Sequence, residues 1–370
     1  MKQYIPIVFI LLLAVSCNKQ TSKISNGTPF YVGTYTDGDS KGIYQYALQE
    51  NGMLDSIGLA AEADNPSFLT KSKDGNYLLA VSEISDKHKM GAVESYKIDG
   101  NSLKLLSKHS SGGAHPCYIT VNDKGYVLTA NYTGGNIGMH QLNNRGELSE
   151  LLFVQQHSGR DSTDRQEGPH AHSVWFDGTK GNVISVDLGT NELWFSKLDT
   201  LENKLVLADS AKLKMNSGAG PRHLTFHPNG EWIYVVNELN STVRQLIKTN
   251  EGLYVKGTVT STLPADFNGE SYCADIHISH DGKFVYASNR GHDSLAIYSV
   301  DPDTGTLSLV GFESVKGKTP RNFTLTPNNE YLLVANQNSN NIVSFKRDSV
   351  TGKLTFVDEI KAPKPVCILF

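Results

Sequence analysis

The chain has 370 residues, 39% hydrophobic and 19% charged, with a formal net charge of −4, an ordinary globular balance. No run of Lys and Arg supplies the electrostatic footprint of a nucleic-acid binder, so no nucleic-acid partner is expected. Beyond the N-terminus no apolar stretch approaches the roughly 18 residues that cross a bilayer as a helix.

Residues 1–17 read as an export signal. Met1-Lys2 precedes an apolar core over 5–15 with one proline, which ends in Ala14-Val15-Ser16-Cys17 and the polar Asn18-Lys19-Gln20. Small residues directly before a cysteine resemble a bacterial lipoprotein cleavage site. Cleavage there would leave Cys17 as the first mature residue, carrying acyl chains, and more than one chain anchors stably. An ordinary cleaved signal with a chance cysteine is the alternative, and the core is too short for a spanning anchor. The expected product is exported and held at the membrane through Cys17, in the periplasm or at the cell surface. Residues 18–28 would link it to a single domain over 29–370.

Within that domain a frame of roughly fifty residues recurs: apolar strand, Asp-Gly or Asn-Gly turn, apolar strand, polar stop. It occupies 66–83, 116–132, 171–188, 221–238, 273–290 and 320–337. A period of this size built from short strands predicts an all-β propeller with four-stranded antiparallel blades. The first segment, with strands expected over 30–35, 42–48 and 54–61, lacks an opening strand. That strand is found at the other end of the chain, over 365–370. Six complete repeats and one split between the termini predict seven blades, and pairing the two ends removes open edges. A six-bladed ring would leave the last strand without a role. The clearest blade has strands at 222–227, 232–237, 242–248 and 253–260, with Asn229-Gly230 as its hairpin turn. Nothing indicates an oligomer, so a monomer is expected. Cys117 and Cys367 start blade strands two blades apart, a poor geometry for a bridge. With Cys273 they read as buried free thiols.

The frame also points to a site. Strand one is innermost, so its first residue lies at the channel mouth: Ser67, Cys117, His172, Arg222, Ala274, Arg321 and Val366. The end of strand two reaches the same face with Glu83, Tyr132, Leu188, Glu238, Arg290 and Gln337. The preceding Asn131, Asp187, Asn237, Asn289 and Asn336 read as a repeated cap. Framework positions repeat whereas mouth positions diverge, and His172, Arg222 and Arg290 around Glu238 suit an anionic, oxygen-rich ligand. Arg forks bind phosphate or carboxylate bidentately. Glu238 and His172 supply an acid and a base in interchangeable roles. The alternative is a ring of surface salt bridges, worth little for stability.

A long polar connection over 156–170 opens on the same face and carries Arg160, Arg165, Gln166 and Glu167. Arg321, Arg165, Gln166, His170 and Tyr132 make up the candidate substrate-binding set. His170-Ala171-His172 places two imidazoles on one side of a strand, which metals use. No cysteine or acid follows at a telling distance, so neither metal nor cofactor is expected. Ser111-Gly112-Gly113 and Gly134-Gly135 lack the helix and lysine of a phosphate loop, and no Gly-x-Ser-x-Gly elbow occurs.

At these residues the chain resembles the seven-bladed propeller lactonases, whose namesake activity is 6-phosphogluconolactonase. The stretches are Tyr31-Val32-Gly33-Thr34-Tyr35-Thr36, Asn131-Tyr132-Thr133-Gly134-Gly135-Asn136, Arg165-Gln166-Glu167-Gly168-Pro169-His170-Ala171-His172-Ser173, Gly220-Pro221-Arg222-His223, Asn237-Glu238-Leu239 and Ser288-Asn289-Arg290-Gly291-His292-Asp293. The resemblance implies catalytic His172, Arg222, Glu238 and Arg290, the four the frame reached. It implies a carboxylic ester hydrolase of carbohydrate metabolism, acting without a metal on an anionic sugar-acid lactone, as in the pentose phosphate pathway. The family also includes fungal carboxymuconate lactonising enzymes, so cycloisomerisation of carboxy-cis,cis-muconate is the second reading. A non-catalytic exported binding platform is the third. The departure is at the front, since the best-known lactonases of the family are cytosolic and this chain reads as exported.

Overall fold

Alternating apolar residues separated by tight turns make each repeat an antiparallel meander, and seven such four-stranded sheets surround one axis in the computed structural model. The structure describes residues 1–2, 27–178 and 181–370; the signal and the Cys17 lipidation reading lie outside the described residues. In blade five the strands are Pro221–Phe226, Trp232–Asn237, Thr242–Lys248 and Tyr254–Ser261, within a residue of the sequence expectation. Its first turn closes with Gly230 N bonded to His227 O at 3.0 Å. Gly230 has φ +76°, a conformation that glycine adopts without steric cost.

The ring closes as the split repeat requires. Pro365–Leu369 pairs antiparallel with Thr28–Thr34, with Val32 opposite Ile368. Strand two of blade five is buried along its whole length, because neighbouring blades cover both of its faces. Tyr234 and Val236 pack there against Ile276, Val285 and Ala287 of blade six. A fully buried Val or Ile side chain among these contributes about 1.5–3 kcal/mol. Tyrosine hydroxyls fasten blades to the turn of the next: Tyr234 to Gly305 O at 2.7 Å, Tyr286 to Gly352 O at 2.8 Å and Tyr331 to Glu50 O at 2.9 Å. Cys117, Cys273 and Cys367 are free and buried.

The predicted caps join blades as well as ending strands, except Asn237, which donates to Thr242 Oγ1 of its own blade. Asn131 donates to Ser111 O, Asn289 to Thr262 O and Asn336 to Val315 O, each carbonyl following the outer strand of the preceding blade. Asp187 has no amide hydrogen to donate. It accepts instead from His157 Nδ1 at 2.7 Å and from the backbone N–H of His170 at 2.9 Å.

One device at the channel is absent from the sequence reading. The pairing of strands one and two skips Cys117, His172, Arg222, Arg321 and Val366, and in blade six both Ala274 and Asp275. These are β-bulges, which bend a strand and re-aim its side chains. The bulge therefore turns the skipped inner-strand residue to the mouth and lets the next residue form a layer beneath it. Tyr118 and His223 of that layer, from blades three and five, meet Phe68 of blade two with ring centroids 4.3–5.9 Å apart and floor the mouth.

Candidate active site

The outer ring of the mouth is set by backbone pairing. Tyr35, Glu83, Tyr132, Leu188, Glu238 and Gln337 each donate their N–H to a carbonyl just before the inner strand of their own blade. Arg290 pairs with Tyr272 at the same place. Tyr35 is thus a seventh member of a ring for which the sequence reading aligned six.

Glu238 is buried and binds three guanidinium groups. Its Oε2 receives Arg222 Nε and Arg290 Nη2, both at 3.0 Å, and its Oε1 receives Arg165 Nη2 at 3.1 Å. Burial would raise its carboxyl, but the charges of Arg290, Arg222 and Arg165 outweigh this and hold it at about 2. These pairs are not the exposed salt bridges of the alternative reading: Arg222 and Glu238 are 2% and 4% exposed.

Arg222 is held from behind. Its Nη1 donates to the Ala274 carbonyl and lies 3.4 Å from His223 Nε2, while Nη2 has no protein partner among the described residues. Burial, with the charges of Arg290 and Arg321, lowers its pKa to about 10, so it stays cationic at neutral pH. His223 Nδ1 lies 2.8 Å from Asp275 Oδ1. The other Asp275 oxygen takes Asn322 Nδ2 at 2.5 Å and faces His277 Nε2 at 3.1 Å. Burial and then the Arg222 charge press His223 to about 4. A neutral ring gives its Nδ1 proton to Asp275 and turns a lone pair to Arg222.

His172 is 4% exposed. Its Nδ1 lies 3.7 Å from Cys117 Sγ, and Nε2 has no protein partner among the described residues. Burial, then the charges of Arg222, His223 and Arg321, pushes its pKa well below 6.5, so the imidazole is neutral. Burial pushes the Cys117 thiol up; it is a protonated neighbour and not a nucleophile.

The remaining expected residues divide. Arg165 and Tyr132 are brought together, with Arg165 Nη2 donating to Tyr132 Oη at 2.9 Å. Arg321 lies over the Tyr35 ring, 5.3 Å from its centroid, and its guanidinium has no hydrogen bond or ion pair among the described residues. Gln166 departs from expectation: it is fully buried, donates to Leu188 O at 2.8 Å and accepts from Thr163. It anchors the loop to blade four. His170 also departs. Its Nδ1 lies 3.1 Å from Tyr132 O and its Nε2 3.1 Å from Oε1 of the exposed Glu167, two acceptors of which a neutral ring donates to one at a time. The two imidazoles do not share a strand face, because the strand begins at Ala171 and bulges at His172. The Tyr132 ring touches both, stacked on His170 and edge-on to His172.

The long connection is fastened rather than loose. Asp161 takes Lys214 Nζ at 3.0 Å and Ser217 Oγ at 2.9 Å, and a 3-10 turn at Asp164–Gln166 presents Arg165 over the mouth. Arg160 is exposed. Sequence reasoning missed Tyr35 as a site residue, and it placed Glu83 on the ring without a role. Tyr35 Oη donates to Glu83 Oε2 at 2.9 Å. A groove of about 1370 Å³ on the outer rim between blades four and five holds none of these groups.

Known proteins resemble this chain along nearly its whole length. The 6-phosphogluconolactonase of Bacillus subtilis is 36% identical over 346 residues, 92% of this chain and 97% of that protein. A Bacteroides fragilis structure described as a candidate 6-phosphogluconolactonase superposes with TM-score 0.87 at 36% identity, covering 93% of this chain and 98% of that one. The periplasmic gluconolactonase of Pseudomonas aeruginosa superposes with TM-score 0.88 at 30% identity, covering 92% and 98%. Residues 29–370 match the family described as lactonase, seven-bladed β-propeller. With its seven blades and a match spanning the whole ring, this chain belongs to the seven-bladed β-propeller lactonase family.

Proposed function

We propose that the protein hydrolyses a sugar-acid lactone at the channel mouth, with 6-phosphogluconolactone as substrate and 6-phosphogluconate as product. The observation that carries this reading is the division of roles around Glu238. That carboxylate is tied through both oxygens to three guanidinium groups, which hold it at about 2, so its lone pairs are engaged by cations rather than turned to water. The neutral His172, from the neighbouring blade, keeps Nε2 free of protein partners among the described residues and is the base. His172 takes a proton from water as the water oxygen attacks the lactone carbonyl carbon. The open Nη2 of Arg222, with Arg290, faces the oxyanion. Collapse breaks the bond to the ring oxygen, which takes the proton from His172 as it leaves, and the new acid loses its own proton to solvent. Arg321 and Arg165 hold the substrate's anionic group. The reading rests on the named relatives and on this geometry, and every step uses a group of the chain itself.

In ¹⁸O-water, one labelled oxygen is expected in the product carboxylate, with turnover insensitive to EDTA. Freshly made glucono-δ-lactone run in parallel distinguishes a phosphorylated from an unphosphorylated substrate, the second favoured by the likeness to a periplasmic gluconolactonase. Product formed without label uptake would rule out hydrolysis. Anchoring through Cys17 is part of the same proposal. Mass spectrometry of the mature N-terminus is expected to find acylated Cys17, and an unmodified or uncleaved terminus would remove the anchor.

A further inference from the structure

Glu83 and Glu238 occupy the same position of the repeat, one residue past the second strand of blades two and five, yet they are treated oppositely. Glu238 is neutralised by three arginines. Glu83 receives only the Tyr35 hydroxyl on Oε2, and its Oε1 has no protein partner among the described residues. Arg321 is likewise unpaired among them. Arg321 sits in the inner-strand bulge of blade seven and Glu83 one residue past the second strand of blade two, the two positions of the repeat that end at the mouth.

Tyr35 stands between them. Its ring carries the Arg321 guanidinium, its hydroxyl carries the Glu83 carboxylate, and burial pushes its phenol up so that it remains a donor. Asn65 fixes the assembly. Its side chain accepts from the N–H and hydroxyl of Thr36 and donates to Glu83 O, and its own carbonyl receives Glu83 N–H.

We infer that Tyr35 is a spacer that keeps Arg321 and Glu83 from neutralising each other, so that together they form a subsite for a ligand carrying an anionic group beside hydroxyl donors. Arg321 takes the phosphate or carboxylate. Glu83 Oε1 accepts from adjacent hydroxyls, which an ionised carboxylate can do but cannot reciprocate. A phosphorylated or acidic polyol meets both demands. A polycarboxylate without hydroxyls sets acceptors against Glu83 and is repelled. This deepens the lactonase reading, on which it rests for the nature of the reaction, and makes Tyr35 and Glu83 determinants of specificity.

Calorimetric titration of the protein with 6-phosphogluconate, gluconate and inorganic phosphate tests the subsite without turnover. Glu83→Gln is expected to weaken 6-phosphogluconate and gluconate about tenfold, the worth of one charge-assisted hydrogen bond. Phosphate should bind that variant as tightly or more tightly, because a neighbouring negative charge is gone. Tyr35→Ala lets Arg321 and Glu83 pair and should weaken all three probes. Equal weakening of phosphate and 6-phosphogluconate by Glu83→Gln, no change in either, or no binding of any probe would overturn the subsite. The expected binding pattern in a protein that turns over no lactone would remove the hydrolysis and leave the subsite standing.

Discussion

Replacing Glu238 by alanine is expected to cost about 3–5 kcal/mol of stability, the range for removing one partner from a buried ion pair. Arg222 and Arg290 would then face each other without a counter-charge, and only the half-exposed Arg165 can swing away. The pH dependence follows from the same contacts. The carboxyl is held at about 2 against an ordinary 4.5, which corresponds to roughly 3 kcal/mol. A lowered value means that this stability is fully present above pH 4.5 and is lost as the pH falls towards 2. Denaturant titrations at pH 7 and pH 3 should show wild type losing part of its margin over the alanine variant at the lower pH. A margin that stays constant between the two would show that the three guanidinium contacts do not set the carboxyl. Glu238→Gln, which keeps an acceptor for the arginines, should fall between the two proteins.

His172→Asn is expected to lower kcat by roughly 10²–10⁴, the usual contribution of a positioned acid–base group. Because burial and the neighbouring Arg222 charge hold the imidazole well below 6.5, its basic form persists under mildly acidic conditions. The kcat/KM of the wild type should therefore stay level from pH 7.5 down through 6.5 and decline only below that. A decline centred at the ordinary imidazole value would show that His172 is not shielded as the mouth geometry implies. Near wild-type kcat in the His172→Asn protein would move the base elsewhere.

Much of the fold was legible because the Asn-Gly and Asp-Gly turns recur at a fixed distance and the opening strand of the first repeat reappears at 365–370. The places of the mouth residues were legible for the same reason, since the repeat marks position. The bulges were not read, although a signal for them exists. Pro66, Pro116, Pro221, Pro320 and Pro365 stand directly before the residue that turns into the channel. A proline has no N–H for the ladder and suits the edge of a bulge. Without the bulge, strict alternation puts only one of each adjacent pair on the channel side, so His223 and Asp275 behind Arg222 were invisible. Tyr35 escaped because the split repeat hid its membership of the strand-two ring. Gln166 and His170 sat in the most distinctive motif, but motif membership does not tell a residue that holds a loop from one that meets a ligand.

Lactone hydrolysis by the mouth stands or falls on the rate at which freshly generated 6-phosphogluconolactone disappears at pH 6.5, where spontaneous opening is slow, with wild type and His172→Asn compared at equal concentration. The expected result is a wild-type rate well above the uncatalysed background and a variant rate at least about a hundredfold lower, within the range for loss of a general base. A wild-type rate equal to background on this lactone and on glucono-δ-lactone, in a protein whose circular dichroism shows a folded propeller, would contradict it.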